Sequence, residues 1–314
     1  MRKRNNSAPN RVGLIGTGKI GHGMAVNLIQ AGHDVRVLTH KTRTAAEDLV
    51  KRGASEATSL RALVGECGVI FLCLPDSKVV EEIMLGVGGI VGVNRPGLMV
   101  IDTSTSQPES TRHIAREMQE RGMAFADAPV LRSAVEAEAG TLISLFGGTH
   151  EIFDLVRPMI AAYSEQVIHF GPIGAGHTAK LINNIVTSGQ AALLTEAMSV
   201  ASGENLCLRS MLEVMSAGAA NSGTLERLKP ALLEGRMDVH QFSIGEARKD
   251  VSYFRALADN KGLSTPVSDA VHQVYTHAVN LGFVEGMTAA LFSYQERLNG
   301  VSLLGSGTNT HKAS

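Results

Sequence analysis

The chain has 314 residues, a formal net charge of −1 and an apolar share of 44%, a composition typical of a globular protein that can bury a core. The nearly neutral charge argues against the basic stripe of a nucleic-acid-binding protein. Neither a membrane-spanning apolar stretch nor a secretory leader is recognisable, so we expect a cytoplasmic protein.

The cysteines are too widely spaced for a disulfide framework or a zinc site. Cys67, Cys73 and Cys207 are separated by intervals that match neither pattern, and their number is odd. We therefore expect reduced thiols and no bound metal.

Short apolar runs alternate with amphipathic stretches in the first half of the chain. Helices are predicted after the first two runs, at 22–31 and 44–51. Continuous apolar strands separated by helices indicate a parallel sheet covered on both faces. The apolar runs predict strands at 11–16, 34–39, 69–74, 98–102, 124–127, 142–146 and 167–170.

After Gly171 and Pro172 the strand-like runs disappear and helical periodicity replaces them. We therefore predict an α/β domain over residues 11–172, an all-α domain over residues 173–300, and flexible tails at 1–10 and 303–314. The helical patterns of the second half cover 177–203, 208–217, 244–261, 266–282 and 286–298.

A glycine-rich turn joins the first predicted strand to the first predicted helix, with Gly16, Gly18 and Gly21 in a Gly-x-Gly-x-x-Gly pattern. In such a turn the first glycine permits the tight bend, the second lets the backbone approach a pyrophosphate, and the third lets helix and strand pack closely. The helix N-terminus favours anions. The pattern therefore predicts a Rossmann-type dinucleotide site that includes Lys19 and Ile20, and a turn without ligand is the alternative.

The end of the second predicted strand bears on the choice of cofactor. NAD sites usually carry an acidic side chain here, which binds the ribose 2′-OH. This chain has His40, Lys41 and Arg43 instead, and these cations suit a 2′-phosphate. We predict NADP as the cofactor, with NAD as the alternative; a cluster of ordinary surface cations would be the simpler explanation.

Further motifs follow in a fixed order. They are Asp102-Thr103-Ser104-Thr105, Asp127-Ala128-Pro129-Val130, Ala137-Glu138-Ala139-Gly140-Thr141-Leu142, the run from Gly174 to Asn184, and a weaker Lys249-Asp250. With the glycine loop, this order resembles the β-hydroxyacid dehydrogenases, which include 3-hydroxyisobutyrate dehydrogenase and the tartronate semialdehyde, glyoxylate/succinic semialdehyde and sulfolactaldehyde reductases. The resemblance covers about Val12 to Leu298. It implies a Rossmann-type domain, a helical domain, and a homodimer or homotetramer.

The resemblance also implies an activity and a set of site residues. The activity is hydride transfer between NADP(H) or NAD(H) and a short β-hydroxy acid or its semialdehyde, a small anionic substrate. Lys180 would be the general acid/base, and Asn184 and Ser104 would bind substrate. The other cofactor-binding residues would be Leu74, Pro75, Thr105, Lys249 and Asp250.

The chemistry of Lys180 can also be argued from the residues themselves. Lys180 and Asn184 are four residues apart, so they share one helix face. A lysine can donate a proton to a carbonyl oxygen, but a free amine with a pKa of about 10.4 is a poor base at neutral pH, so we expect burial to lower that pKa. A solvated surface lysine is the alternative. We expect Asn183 to support packing and His177 to be a polar residue near the helix start.

The loop after Val130 departs from the family, which usually has Ser-Gly-Gly where this chain has Leu131, Arg132 and Ser133. Leu131 removes a hydroxyl, and Arg132 introduces a fork that pairs with carboxylate, sulfonate or phosphate oxygens. The loop therefore predicts that Arg132 and Ser133 bind an anionic substrate group. An arginine turned toward solvent is the alternative.

Two other functions are compatible with this architecture. An imine reductase-like enzyme is one, although that group usually lacks a lysine at the position of Lys180. A non-catalytic nucleotide-binding module is the other, and the intact Lys180 and Asn184 argue against it. The sequence also predicts a capping box from Ser106 to Glu109 at the start of a helix.

Overall fold

The computed structural model describes residues 11–39, 43–239 and 241–304. It divides into two compact units, one ending at Lys180 and the other beginning at Leu181. The strands of the first unit are β1 (Arg11–Ile15), β2 (Asp34–Leu38), β3 (Ser55–Glu56), β4 (Val69–Leu72), β5 (Met99–Asp102), β6 (Ala124–Asp127), β7 (Val130–Leu131), β8 (Leu142–Gly147) and β9 (Ser164–Gly171).

Helices connect these strands and cover the sheet. Among the helices that precede α9, the sequence predicted α1 and α2 along their length and, for α6, only a helix start near Ser106. The helices are α1 (Lys19–Gln30), α2 (Arg43–Lys51), α3 (Leu60–Glu66), α4 (Ser77–Leu85), α5 (Ile90–Val93), α6 (Pro108–Gln119), α7 (Ala134–Glu138), α8 (His150–Ile160) and α9 (Ala175–Gly203), which continues into the second unit.

The sheet has the order β3-β2-β1-β4-β5-β6-β8-β7, with β9 paired to β8. The pairs from β3 through β6 are parallel, which confirms the parallel α/β prediction for this part. Strand β8 runs antiparallel to β6 and β7, and β9 runs parallel to β8. The sequence did not predict this mixed edge.

Alternate residues of the central strands face opposite sides of the sheet, because the side-chain period of a strand is two. In β4, Val69 and Phe71 belong to one buried apolar cluster, and Ile70 and Leu72 belong to another. Both faces of the sheet are therefore covered, as the continuous apolar run predicted.

Apart from one isolated β-bridge between Ser243 and Met287, the regular elements described in the second unit are helices, as expected. Leu228, Tyr275 and Phe292 are fully buried in its apolar core. Besides the rest of α9 it contains α10 (Leu208–Ala217), α11 (Gly223–Glu234), α12 (Ile244–Asp259), α13 (Pro266–Ala278), a short π-helical turn (Val279–Phe283) and α14 (Ala290–Asn299).

In this unit the sequence prediction missed one helix and placed two boundaries wrongly. The sequence did not predict α11, which has Pro230 in its interior. The last helix was predicted to begin at residue 286, but it begins at Ala290. Before it, the hydroxyl of Thr288 donates to the carbonyl of Phe242. The predicted C-terminal tail starts too early, because Leu303 is buried and its N–H donates to Glu296. No helix in the described ranges is long and apolar enough to cross a membrane.

Candidate active site

The glycine-rich turn between β1 and α1 is sterically fixed at two positions. Gly16 has a φ of +101°, and a Cβ there would overlap the carbonyl oxygen of Cys73. A Cβ on Gly21 would overlap the carbonyl oxygen of Gly16. Both positions therefore require glycine, the first for the bend and the second for close packing of the helix.

Gly18 is different, because no described atom lies within 4 Å of the position its Cβ would take. It is exposed and stands at the N-cap of α1. Among the described side chains none caps α1, whereas Ser59, Asp76 and Thr149 cap α3, α4 and α8. The first N–H groups of α1 are thus uncapped by side chains, an arrangement that fits a pyrophosphate.

The loops that follow β4 and β5 meet beside this turn. The N–H of Leu74 donates to Ser104 Oγ at 2.9 Å, and the Leu74 side chain lies against Gly16. Ser104 is buried, while Thr105 is half-buried and Pro75 is exposed. The hydroxyl of Ser104, predicted to bind substrate, therefore joins the two loops in this structure.

At the predicted ribose end, His40 and Lys41 lie outside the described residues. Arg43 begins α2, and its side chain is 73% exposed. Its guanidinium lies 3.6 Å from Glu47 and 3.9 Å from Glu56.

Lys180 lies on the second turn of α9 and is half-buried. Its Nζ donates a hydrogen bond of 2.7 Å to the carbonyl oxygen of Val130 in β7. The ammonium group therefore lies at the strand that leads into the loop Leu131–Arg132–Ser133.

In that loop the described polar side chains have protein partners. Arg132 has a φ of +85°, which is unusual for a residue with a Cβ. Its guanidinium donates to Glu165 at 2.6 Å and to the carbonyl of Thr141, and it holds the pKa of Glu165 below its usual value. Ser133 donates through Oγ and N–H to Glu136, in a capping box for α7.

The predicted residues of the second unit form a separate polar cluster around Asp250, which is buried. Asn184 Nδ2 donates to Asp250 Oδ2 at 2.7 Å, and Lys249 Nζ lies 3.2 Å from Asp250 Oδ1. Asn183, expected only to pack, donates to Asn184 Oδ1 at 3.2 Å. Asp250 therefore lies beside Lys249, as the motif suggested, and it also orients the Asn184 amide, a contact that the sequence did not predict.

Three buried titratable residues near the start of α9 were missed as a group. Asp102, Asp127 and His177 are all fully buried. His177 lies near the helix start, as expected, but its burial was not predicted. Burial raises the pKa of Asp127, and the nearby His177 opposes that shift. An available signal was the position of both aspartates, each of which ends an apolar strand.

The predicted capping box at Ser106 and Glu109 was also wrong. The N-cap of α6 is Gln107, and Pro108 occupies the first turn. Ser106 instead donates its hydroxyl to Asp102 at 2.8 Å, and Glu109 pairs with Arg112.

A second missed contact joins α1 to α7. Asn27 Nδ2 donates to the carbonyl of Ala137 at 2.9 Å, and His22 contacts Glu138 at 2.5 Å. A Cβ on Gly23 would lie 2.5 Å from the backbone of Ala137. The helix that follows the glycine-rich turn is thereby fixed against the helix that follows the Arg132 loop.

The thiols and acidic residues do not form a metal site in the part of the chain that is described. There, no group of three or more His, Cys, Asp or Glu side chains could hold an ion. The cysteines are free, and burial raises the pKa of Cys67 to about 11.

Two family models together match nearly the whole described chain. Residues 11–171 match the NAD binding domain of 6-phosphogluconate dehydrogenase, and residues 174–293 match the NAD-binding domain of NADP-dependent 3-hydroxyisobutyrate dehydrogenase. The chain belongs to the 3-hydroxyisobutyrate dehydrogenase-like family of NAD(P)-dependent hydroxyacid dehydrogenases. It is therefore an NAD(P)-dependent oxidoreductase that acts on hydroxy groups.

Individual relatives agree with this assignment. The 3-sulfolactaldehyde reductase of Escherichia coli (strain K12) is 32% identical over 85% of this chain and 89% of its own length. An NAD-dependent L-serine dehydrogenase of Pseudomonas aeruginosa is 31% identical over 88% and 94%. The structure of Mycobacterium tuberculosis 3-hydroxyisobutyrate dehydrogenase with L-serine has a TM-score of 0.81 at 25% identity and covers 90% of this chain and 98% of that one.

Proposed function

We propose that this dehydrogenase transfers hydride reversibly between NADP(H) and a short β-hydroxy acid or its semialdehyde, and that Lys180 moves the proton. The observation that carries the proposal is the 2.7 Å hydrogen bond from Lys180 Nζ to the carbonyl of Val130. It holds the amine at β7, in the same unit as the glycine-rich turn. A solvated surface lysine would have no such fixed position.

The nicotinamide, when bound, supplies or accepts the hydride. In the reductive direction the Lys180 ammonium donates a proton to the carbonyl oxygen of the substrate. In the oxidative direction the neutral amine accepts the proton of the hydroxyl. The Val130 carbonyl accepts an N–H from lysine in either state, so the nitrogen keeps its place through the cycle.

The substrate class follows from chemistry around the same loop. Relatives are named for L-serine and 3-sulfolactaldehyde, small molecules that carry an acid group. In this chain the anionic group would be bound by Arg132 in exchange for Glu165. Both side chains are partly exposed, at 27% and 40%, and an exposed ion pair of this kind is only weakly held.

The remaining predicted residues would bind either the substrate or the cofactor. Asn184 would hold a substrate oxygen, with its amide oriented by Asp250. Thr105 and Ser133 would line the reacting end, and Lys249 and Asp250 would bind the cofactor. NADP is favoured over NAD by the basic residues His40, Lys41 and Arg43 after β2, where an acidic residue would select the 2′-hydroxyl.

A homodimer or homotetramer is also part of the proposal. On α9, Ile182, Val186, Leu193 and Val200 are exposed apolar side chains. Their spacing places them along one helix face. A long apolar stripe of this kind is typical of a contact with another subunit.

The test compares Lys180→Met with Lys261→Met, a control at an exposed lysine of the second unit. Each protein is assayed with NADP and a panel of β-hydroxy acids, and with NADPH and the corresponding aldehydes. We expect Lys180→Met to lower kcat by about a hundredfold to ten-thousandfold and to leave cofactor affinity, measured by NADPH fluorescence, unchanged. Lys261→Met should behave as the wild type.

Two outcomes would replace the proposal with an alternative. Cofactor binding without turnover of any acid, aldehyde or imine would identify a nucleotide-binding module. Imine reduction that survives in Lys180→Met would identify an imine reductase.

A further inference from the structure

A closed hydrogen-bond network surrounds the first turn of α9, the helix that carries Lys180. Its titratable members are Asp102, Asp127 and His177, and the side chain of His177 is 0% exposed. None of the three therefore reaches a substrate directly. All of them belong to the first unit, together with Lys180.

Asp127 caps α9 from the neighbouring strand β6. Its two carboxylate oxygens accept the backbone N–H of Gly174 at 2.6 Å and that of His177 at 2.7 Å. The N–H groups of a first helical turn have no partner within the helix, and a carboxylate there is stabilised by the helix dipole. The start of α9 is thus fixed to the end of β6.

Two glycines make room for this carboxylate. A Cβ on Gly147 would lie 2.5 Å from Asp127 Oδ1, and a Cβ on Gly176 would lie 2.9 Å from Asp127 Oδ2. The approach of β8 and α9 to Asp127 is therefore too close for any side chain, which leaves the helix start little freedom to move.

His177 connects the same turn to the loop after β5. Its Nε2 lies 3.2 Å from the carbonyl oxygen of Ser104 and donates to it, because a carbonyl only accepts. Its Nδ1 lies 2.7 Å from Thr111 Oγ1 on α6. The nearest carboxylate oxygens of Asp102 and Asp127 are 3.7 and 3.8 Å from the ring nitrogens.

Lys180 follows His177 by three residues, so the two side chains lie on adjacent turns of one helix face. Ser104, whose carbonyl His177 binds, directly precedes Thr105. We infer that His177 is a positioning residue, which sets the place of the Lys180 amine relative to the Ser104–Thr105 loop through its bond to the Ser104 carbonyl. This inference rests on the proposed function of Lys180.

The test uses two substitutions at one position. In His177→Leu an apolar side chain fills the buried site, and both hydrogen bonds of the imidazole ring are lost. His177→Gln keeps an N–H donor that reaches about as far from the backbone as Nε2 and restores the bond to Ser104. Because small misplacements of catalytic groups cost up to about a hundredfold in rate, we expect kcat to fall roughly tenfold to a hundredfold in His177→Leu. In His177→Gln it should stay within about threefold of the wild type.

Three controls separate positioning from general loss of structure. Thr195→Val removes a buried hydroxyl that bonds the Ala192 carbonyl elsewhere on α9, and it should leave kcat unchanged even if Tm falls. The KM for NADPH should stay constant in all variants. In a Lys180→Met background, His177→Leu should lower kcat no further, because residues that act through one another are not additive.

Equal kcat values for His177→Leu and His177→Gln would overturn the inference. If His177→Leu does not fold, His177→Asn replaces it, because its shorter amide cannot reach the Ser104 carbonyl, and the same comparison with His177→Gln decides. A fully active Lys180→Met would refute the proposed function itself. A slow Lys180→Met beside an unaffected His177→Leu would refute only the positioning role.

Discussion

Two loops of the first unit differ in what they present to a ligand. The turn Gly16–Gly21 presents backbone N–H groups, with open space above Gly18 and side chains excluded at Gly16 and Gly21. The loop Leu131–Ser133 presents side chains, and both polar ones are bound to protein carboxylates. The first loop can therefore receive an anion as it stands, whereas Arg132 and Ser133 would have to release a protein carboxylate before they could bind one.

This difference affects how much the sequence reveals about each loop. Part of what the glycine pattern reports is local, namely the positive φ of Gly16 and the close approach of Gly21 to the Gly16 carbonyl. The role of an arginine depends on what lies opposite it, and here that residue is Glu165, more than thirty positions later in the chain. Substitutions in the two loops should therefore act in different ways.

The largest expected effect is in the glycine-rich turn. Gly16→Ala forces a side chain into the left-handed region at φ +101° and into the Cys73 carbonyl. Conformational strain and overpacking together should lower the free energy of unfolding by about 2–5 kcal/mol, measured by urea denaturation.

Gly18→Ala is the matched variant, because its Cβ meets no described atom. We expect it to change the free energy of unfolding by less than about 1 kcal/mol, yet to raise the KM for the cofactor at least about tenfold, since the backbone can no longer approach a pyrophosphate. Equal losses of stability in both variants would contradict the division of roles between these glycines.

The next effect is in the Arg132 loop. If a substrate anion exchanges with Glu165, Arg132→Ala should raise the KM for an anionic aldehyde about tenfold. Glu165→Gln should lower that KM, because it removes the competing carboxylate. A neutral aldehyde should show neither change, and steady-state kinetics with paired substrates measures all of them.

The result depends on whether the KM for the anionic aldehyde rises or falls in Arg132→Ala and in Glu165→Gln. A KM that rises in both variants would mean that the Arg132–Glu165 pair only shapes the loop. An unchanged KM in both would leave Arg132 without a role in substrate choice.

The smallest effect is expected at the ribose end, where cofactor recognition depends on side chains. Arg43 is exposed and has two glutamates nearby, so Arg43→Ala should raise the KM for NADP by no more than about fivefold. The KM for NAD should not change. Equal changes for both cofactors would remove Arg43 from the discrimination of the 2′-phosphate.

Local patterns predicted the elements whose signal is contained in a few residues. The elements of this class are the apolar strands β1, β4 and β5 and the helix α9, whose helical periodicity continues over 29 residues. Helix α11 does not, because Gly223 and Pro230 resemble loop residues although the helix tolerates both. The direction of β8 was equally unreadable, since an apolar run carries no information about its neighbour.

In the candidate site, too, single residues were predicted but the contacts between distant segments were not. Lys180, Asn184, Arg132 and the glycines were predicted as individual residues, from motif and spacing. Their partners were not. The Val130 carbonyl, Asp250, Glu165 and the buried Asp127–His177 network are contributed by distant segments.

The sequence by itself determined the class of fold, the place of the dinucleotide turn and the family to which the chain belongs, because steric and periodic constraints act over a few residues. Only the tertiary structure decided which carbonyl accepts the hydrogen bond of Lys180, which carboxylate pairs with Arg132, and that His177 is buried. Hydrogen bonds join atoms that are close in space. Only folding brings the N–H of His177 within 2.7 Å of Asp127 Oδ2, fifty positions earlier in the chain.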